Sequence, residues 1–168
     1  MRNKLTTLLA LGLLLFSGSS LALPSDREQP IHITADSASI DDRTGITRYR
    51  GNVIIRQGSL AIDADDVEMH RNDDGIQKII ATGKQAHFRQ QPSADQPYTD
   101  AYGDRLVYQV GAQSVTATGN ARVKQGEDQF SGARIVYDMN RSVVDAFGGD
   151  EGKGRVQMVI QPKTKSKE

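Results

Sequence analysis

Three histidines, two clusters of carboxylates and scattered serines are the residues in this chain with catalytic or metal-binding chemistry to offer. His32, His70 and His87 do not show the i, i+4 spacing of a helical metal site, and they read as strand or surface positions. Asp63, Asp65 and Asp66, with Asp73 and Asp74, have charge enough for a calcium ion. Neither a D-x-[DN]-x-[DN]-G loop nor a G-G-x-G-x-D repeat accompanies them, so they read as outward charges and turn formers. Paired carboxylates on a strand stack could also hydrolyse glycosides. Here the acidic pairs fall at turns or alternate outward, and 5% aromatic residues with no Trp leave little to hold a sugar ring. Ser59 and Ser131 stand outside any G-x-S-x-G elbow. The absence of cysteine removes disulfides, thiolate metal sites, a thiol nucleophile and a lipidated cysteine. Lys and Arg balance Asp and Glu at 21 each, which leaves no electrostatic footprint for nucleic acid. The expectation is a chain with no catalytic residue, no metal, no cofactor and no nucleic-acid partner.

The chemistry must therefore lie in the surfaces that the elements present. Arg2 and Lys4, the apolar stretch from Leu5 to Phe16, and the small residues Ser20 and Ala22 flanking Leu21 form an export signal. The signal is expected to span 1–22 and to be cleaved, with one domain over 23–161 and a disordered basic tail over 162–168. About 145 residues are enough for a single core. Beyond the leader the pattern is that of strands. Leu60-Ala61-Ile62-Asp63-Ala64, Arg105-Leu106-Val107-Tyr108 and Arg134-Ile135-Val136-Tyr137 alternate with a period of two, the mark of a half-buried strand. Turn residues punctuate the runs at Asp41–Gly45, Asn72–Gly75 and Gly148–Asp150, and Pro92 and Pro97 mark a longer loop over Gln90–Thr99.

The chain also repeats itself. Gly51-Asn52-Val53-Ile54-Ile55-Arg56-Gln57-Gly58 returns 68 residues on as Gly119-Asn120-Ala121-Arg122-Val123-Lys124-Gln125-Gly126. At the same offset Asp36 meets Asp104, Ile62 meets Phe130 and Met69 meets Tyr137. Inside this lies a shorter period, with Gly103-Asp104-Arg105-Leu106-Val107-Tyr108 matching Gly132-Ala133-Arg134-Ile135-Val136-Tyr137 at an offset of 29. A period of about 30 residues marks stacked units that bury their apolar faces against one another. Each unit reads as short strands ended by a glycine bend, at Gly51, Gly83, Gly119 and Gly148. The expected fold is all-β, a solenoid-like stack of short antiparallel strands, folded over and open at both ends.

In such a stack the inward residues form stripes. One runs through Ala38/Ile40, Val67/Met69, Leu106/Tyr108 and Ile135/Tyr137. A return stripe runs through Thr47/Tyr49, Ile79/Ala81, Val115/Ala117 and Val144/Ala146. A third joins Val53/Ile55 to Ala121/Val123, with Phe88 and Phe130 adding aromatic surface. A packed core accounts for these stripes. Their mixture of small and large residues also suits a groove between two sheets, in which acyl chains gain ~0.8 kcal/mol per buried methylene. An open stack exposes its end strands, Ile31-His32-Ile33 at one end and Val156 to Ile160 at the other, where a like-folded neighbour could add a strand.

Gln29-Pro30-Ile31-His32-Ile33 followed by Ala35-Asp36, then Tyr49-Arg50-Gly51-Asn52-Val53 with Gln57-Gly58, and the second Gly119-Asn120 with Gln125-Gly126, resemble in order and spacing the OstA-like N-terminal domain family, that of the LptA bridge proteins of lipopolysaccharide transport. The resemblance covers roughly Gln29 to Ile160. It implies a periplasmic, non-catalytic carrier folded as a twisted β-jellyroll with lipid A acyl chains in its groove. The lining would comprise Ile33, Ile40, Tyr49, Val53, Ile55, Val67, Met69, Phe88, Leu106, Tyr108, Val123, Phe130, Ile135 and Tyr137. It further implies head-to-tail self-association, and two membrane partners. An inner-membrane-anchored LptC-like protein would meet Ile31, His32 and Ile33, and an outer-membrane LptD-like protein would meet Val156, Met158 and Ile160. Arg71 falls where the family has a basic residue in the loop after the Val67/Met69 strand, and would either meet a lipid phosphate or stand as a solvated loop arginine.

Overall fold

The computed structural model describes residues 26–149 and 154–162. The expected leader, and all of the expected tail but Pro162, lie outside the described residues. A 3-10 turn over Asp26–Glu28 precedes ten strands: β1 His32–Thr34, β2 Ser37–Asp41, β3 Ile46–Gln57, β4 Leu60–Asn72, β5 Gly75–Gln90, β6 Thr99–Gln109, β7 Ser114–Gln125, β8 Asp128–Asp138, β9 Val143–Phe147 and β10 Gln157–Val159. All pair antiparallel in one open sheet, with β3 to β8 in sequence order. Among the described residues no helix is long and apolar enough to cross a membrane.

The strands are not all short. The six from β3 to β8 run 11 to 16 residues each, and each passes through a bend where the ladder shifts register. Gly51, Gly83 and Gly119, expected to end a unit, instead turn the strand within it, whereas Gly148 follows the end of β9. Gly51 and Asn52 both adopt left-handed backbone, at φ 79° and 48°, and Gly119 and Asn120 repeat this at 74° and 49°. A bulge of this kind re-aims the strand and lets pairing resume beyond it. An aspartate fixes each corner. Asn52 Nδ2 donates to Asp36 Oδ2 at 3.0 Å, and Asn120 Nδ2 donates to Asp104 Oδ2 at 2.9 Å. Between them, at Gly83, Lys84 N donates to Asp65 Oδ2 at 3.2 Å.

The bends divide the sheet into two facing walls. The first holds residues 46–50, 66–72, 75–82, 105–109, 114–118 and 134–138, closed off by β2 and β9. The second holds 53–57, 60–64, 86–90, 99–103, 121–125 and 128–132, closed off by β1 and β10. The walls meet at the bends and diverge toward two rims of hairpin turns. Alternate residues on the inner faces, among them Val53, Ile55, Ile62, Val67, Ile79, Phe88, Leu106, Val115, Val123 and Ile135, are buried in one continuous core. Full burial of each large apolar side chain contributes about 1.5–3 kcal/mol. Phe88 of the second wall packs on Tyr108 of the first, ring centroids 5.1 Å apart and planes tilted by 53°.

Candidate functional site

The interior between the walls and the four short strands at its ends hold most of the residues singled out from the sequence. Val53, Ile55, Val67, Met69, Phe88, Leu106, Tyr108, Val123, Ile135 and Tyr137 are buried on the inner faces, and Ile31, Ile33, Tyr49 and Phe130 are half-buried against them. Ile40 is a correction: it is 61% exposed, and Ala38 beside it is exposed too. Its register partner is Thr47, which pairs in turn with Met69, so it does lie on the inner side. But β2 is the last strand of its wall, and no further strand covers it. Ile40 is therefore the solvated lip of the groove's open end.

Over most of its length the interior is filled by the chain's own side chains. Toward the rims a cavity of about 400 Å³ remains, lined by Ile31, Ile55, Leu60, Ile76, Ile79, Tyr108 and Val110 with Asp26, Arg27, Gln57 and Gln90. Burial pushes the Tyr108 phenol above its ordinary value, Asp26 adds to this, and nearby Arg27 and Gln90 act against it, so it stays neutral at physiological pH. Gln90 is 8% exposed, and its Oε1 has no partner among the described residues. Leu60, Ile76, Val110, Gln90, Asp26 and Arg27 stand outside the residues expected at the site. Leu60 was visible in a strictly alternating run. Asp26 and Arg27 precede the first strand and carried no pattern at all.

The rims of the two repeats close differently. In the second repeat Gln125 Nε2 donates directly across the gap to the Tyr137 hydroxyl at 3.1 Å. In the first, the matching residues are Gln57 and Met69, and a thioether is at best a weak acceptor. Gln57 Nε2 donates instead to the backbone oxygen of Gln29 at 3.0 Å. The segment before β1 lies over this rim. Asp26 accepts from Ser59 N at 2.7 Å, Ser59 Oγ at 2.6 Å and Gln90 Nε2 at 2.9 Å, all on the second wall. Arg27 donates to the backbone oxygen of Val110, on the rim of the first.

At the N-terminal end, β1 pairs with 54–56 of β3 and β2 with 46–50. At the C-terminal end, β10 pairs with 129–131 of β8 and β9 with 134–138. The outermost strands have free edges in the described chain. The expected last strand over 156–160 is confined to Gln157–Val159, which pairs with Gln129–Ser131 of β8. Val156, Met158, Val159 and Ile160 are exposed there, as are Val143 and Phe147 of β9, whose alternate residues Val144 and Ala146 pack against the core. His32 is exposed.

Charges lie on the outer faces. Arg56 pairs with Asp63 at 2.7 Å and Arg48 with Glu68 at 2.9 Å. His70 Nε2 lies 2.6 Å from Glu68 Oε1, and His87 Nε2 lies 2.7 Å from Asp100 Oδ1 while its ring stacks on Tyr102. The Arg71 guanidinium is engaged by Asp42, and its backbone N–H donates to Gly45 O at 2.9 Å. Among the described residues no three His, Asp or Glu side chains converge at metal-ligand spacing.

Residues 32–143 match the family model described as LptA/(LptD N-terminal domain) LPS transport protein. The chain is 40% identical over 171 residues to the lipopolysaccharide export system protein LptH of Pseudomonas aeruginosa, covering 98% of this chain and 97% of that one. It is 34% identical over 164 residues to the lipopolysaccharide export system protein LptA of Escherichia coli, covering 95% and 87% respectively. The fold is similar to the crystal structure of LptH, described as the LptA homologous periplasmic component of the lipopolysaccharide transport device of Pseudomonas aeruginosa. The TM-score is 0.75 at 38% identity, over 83% of this chain and 100% of that one.

Proposed function

The chain belongs to the LptA/(LptD N-terminal domain) family of LPS transport proteins, and on that premise we propose that it is a periplasmic carrier that holds the acyl chains of lipopolysaccharide between its two walls. As a member of a transport family it is not an enzyme. The observation that carries the reading is the apolar interior, continuous from Ile33 to Phe130 and Tyr137, with a cavity already present beside Tyr108. Each methylene entering it would contribute about 0.8 kcal/mol. Several partly buried chains then hold without any specific contact, and a carrier needs moderate affinity in order to hand its load on. The walls must spread for this, because the interior is otherwise packed. Arg71 would meet a lipid phosphate by exchanging Asp42 for it.

Under the same proposal the free edges make the bridge. Strand addition at β1 and β2 would dock an inner-membrane-anchored LptC-like protein, addition at β9 and β10 an outer-membrane LptD-like protein, and joining the two kinds of edge would give a head-to-tail row of copies. The exposed apolar residues at the C-terminal end suit such a contact. The test is photocrosslinking in cells, with the probe at Tyr108, at Ile33 and at the outward control Glu68. Lipopolysaccharide adducts at the first two and not at the third are expected. An exported, folded protein with no adduct at any position would instead be a structural adaptor that binds no lipid.

A further inference from the structure

We propose that residues 26–29 form a releasable strap that holds the two walls together over the first repeat, so that the groove opens there when the strap lifts. The inference rests on the carrier reading for what enters, but the strap itself rests on geometry. The same residue, glutamine, stands at the rim in both repeats. Gln125 reaches the opposite wall through Tyr137, whereas Gln57 has only Met69 at the matching place and takes Gln29 O instead. The strap supplies the missing closure. Asp26 fastens it to the second wall through Ser59 and Gln90, and Arg27 fastens it to the first through Val110.

The turn beneath it is shaped to receive it. Gly58, at φ 57°, would place a Cβ 2.2 Å from Asp26 Oδ1, whereas its repeat mate Gly126, at φ 59°, would meet nothing closer than Pro97 at 3.6 Å. The cavity lies under the strap, and Asp26 and Arg27 line it. The fastening is a few hydrogen bonds at a rim, each worth a modest net amount because water can replace it. The second repeat closes instead through the buried Tyr137, within the core. The strap is thus the closure that lies outside the core, and the one that can lift with the fold intact.

The experiment uses the full chain, which has no native cysteine, carrying Ile79→Cys under the strap or Ile135→Cys in the second repeat. The rate of N-ethylmaleimide labelling is compared with and without Asp26→Ala/Arg27→Ala. The expected result is labelling about tenfold faster at position 79 when the strap is unfastened, with no change at position 135. Equal rates at position 79 would overturn the strap, and so would a parallel rise at both positions, which would mean that Asp26 and Arg27 merely stabilise the whole fold. Purified lipid A is then added to the proteins lacking the cysteine, and uptake should quicken by a similar factor on unfastening. If lipid A binds neither form while position 79 labels faster, the carrier reading fails and the strap stands.

Discussion

Gln57 and Gln125 hold the same place in two copies of one repeat, on turns of the same shape, and close the molecule in different ways. The second copy shuts through a side chain of the opposite wall that is wholly inside the core. The first shuts through a segment that arrives from outside the repeat. A single difference, Tyr137 against Met69, separates a permanent seam from a fastening on the surface. The lesson is that a repeat can conserve its architecture while varying the strength of its closure. The cavity beside Tyr108 lies where the closure is borrowed.

The strongest challenge to the comparison is Phe88→Ala. Phe88 joins the walls near the junction of the two halves, and its loss should cost about 3–5 kcal/mol, read as a shift of the urea midpoint. Both halves should melt in one transition. Two transitions would mean that the halves are separate cores and that one cannot be judged against the other.

The glycine turns come next. Gly58→Ala and Gly126→Ala both force alanine into left-handed backbone, at about 1 kcal/mol or somewhat more. Only the first also drives a Cβ into Asp26. Gly58→Ala should therefore be the more destabilising by chemical denaturation, and equal losses would show that nothing rests on that turn.

Tyr137→Phe tests the seam directly. It removes the acceptor of Gln125 without changing the packing, for an expected loss of about 1 kcal/mol. Met69→Leu, with no such bond to lose, should stay within about 1.5 kcal/mol of neutral for the volume change alone. Double substitution with Gln125→Ala should show coupling for the tyrosine, and with Gln57→Ala none for the methionine.

The smallest effect belongs to the outer face of the first wall. Burial pushes the Glu68 carboxyl up, but the hydrogen bond from His70 and the charge and hydrogen bond of Arg48 outweigh it and hold the group below its usual 4.5. A depressed carboxylate contributes stability that is present above the unfolded value and is lost as pH falls through the lower folded one. The melting temperature of the parent should thus exceed that of Glu68→Gln at neutral pH and converge with it as pH falls through the lowered folded value. The pair faces solvent, so the difference should correspond to under about 1 kcal/mol.

Much of this was legible beforehand, and the exceptions have physical reasons. The period-two runs placed Val67, Leu106, Val115 and Ile135 inside because a strand alternates whatever it packs against. The Gly-Asn pairs located the bends because left-handed backbone favours those two residues. That a strand continues through its bend did not follow, since a glycine that ends a strand and one that bulges it look alike in sequence. Ile40 obeyed its alternation and still met water, because burial depends on a neighbour and β2 has none on its outer side.

The residue pattern alone determined the strand class, the two repeat lengths, the inward stripes and the glycine bends, because each of these is local and recurs along the chain. Only the tertiary structure decided which stripes are covered, which rim closes through its own side chains and where a cavity remains. Those depend on segments far apart in sequence, such as Arg27 and Val110 at 83 residues' separation, and no periodicity records such a meeting.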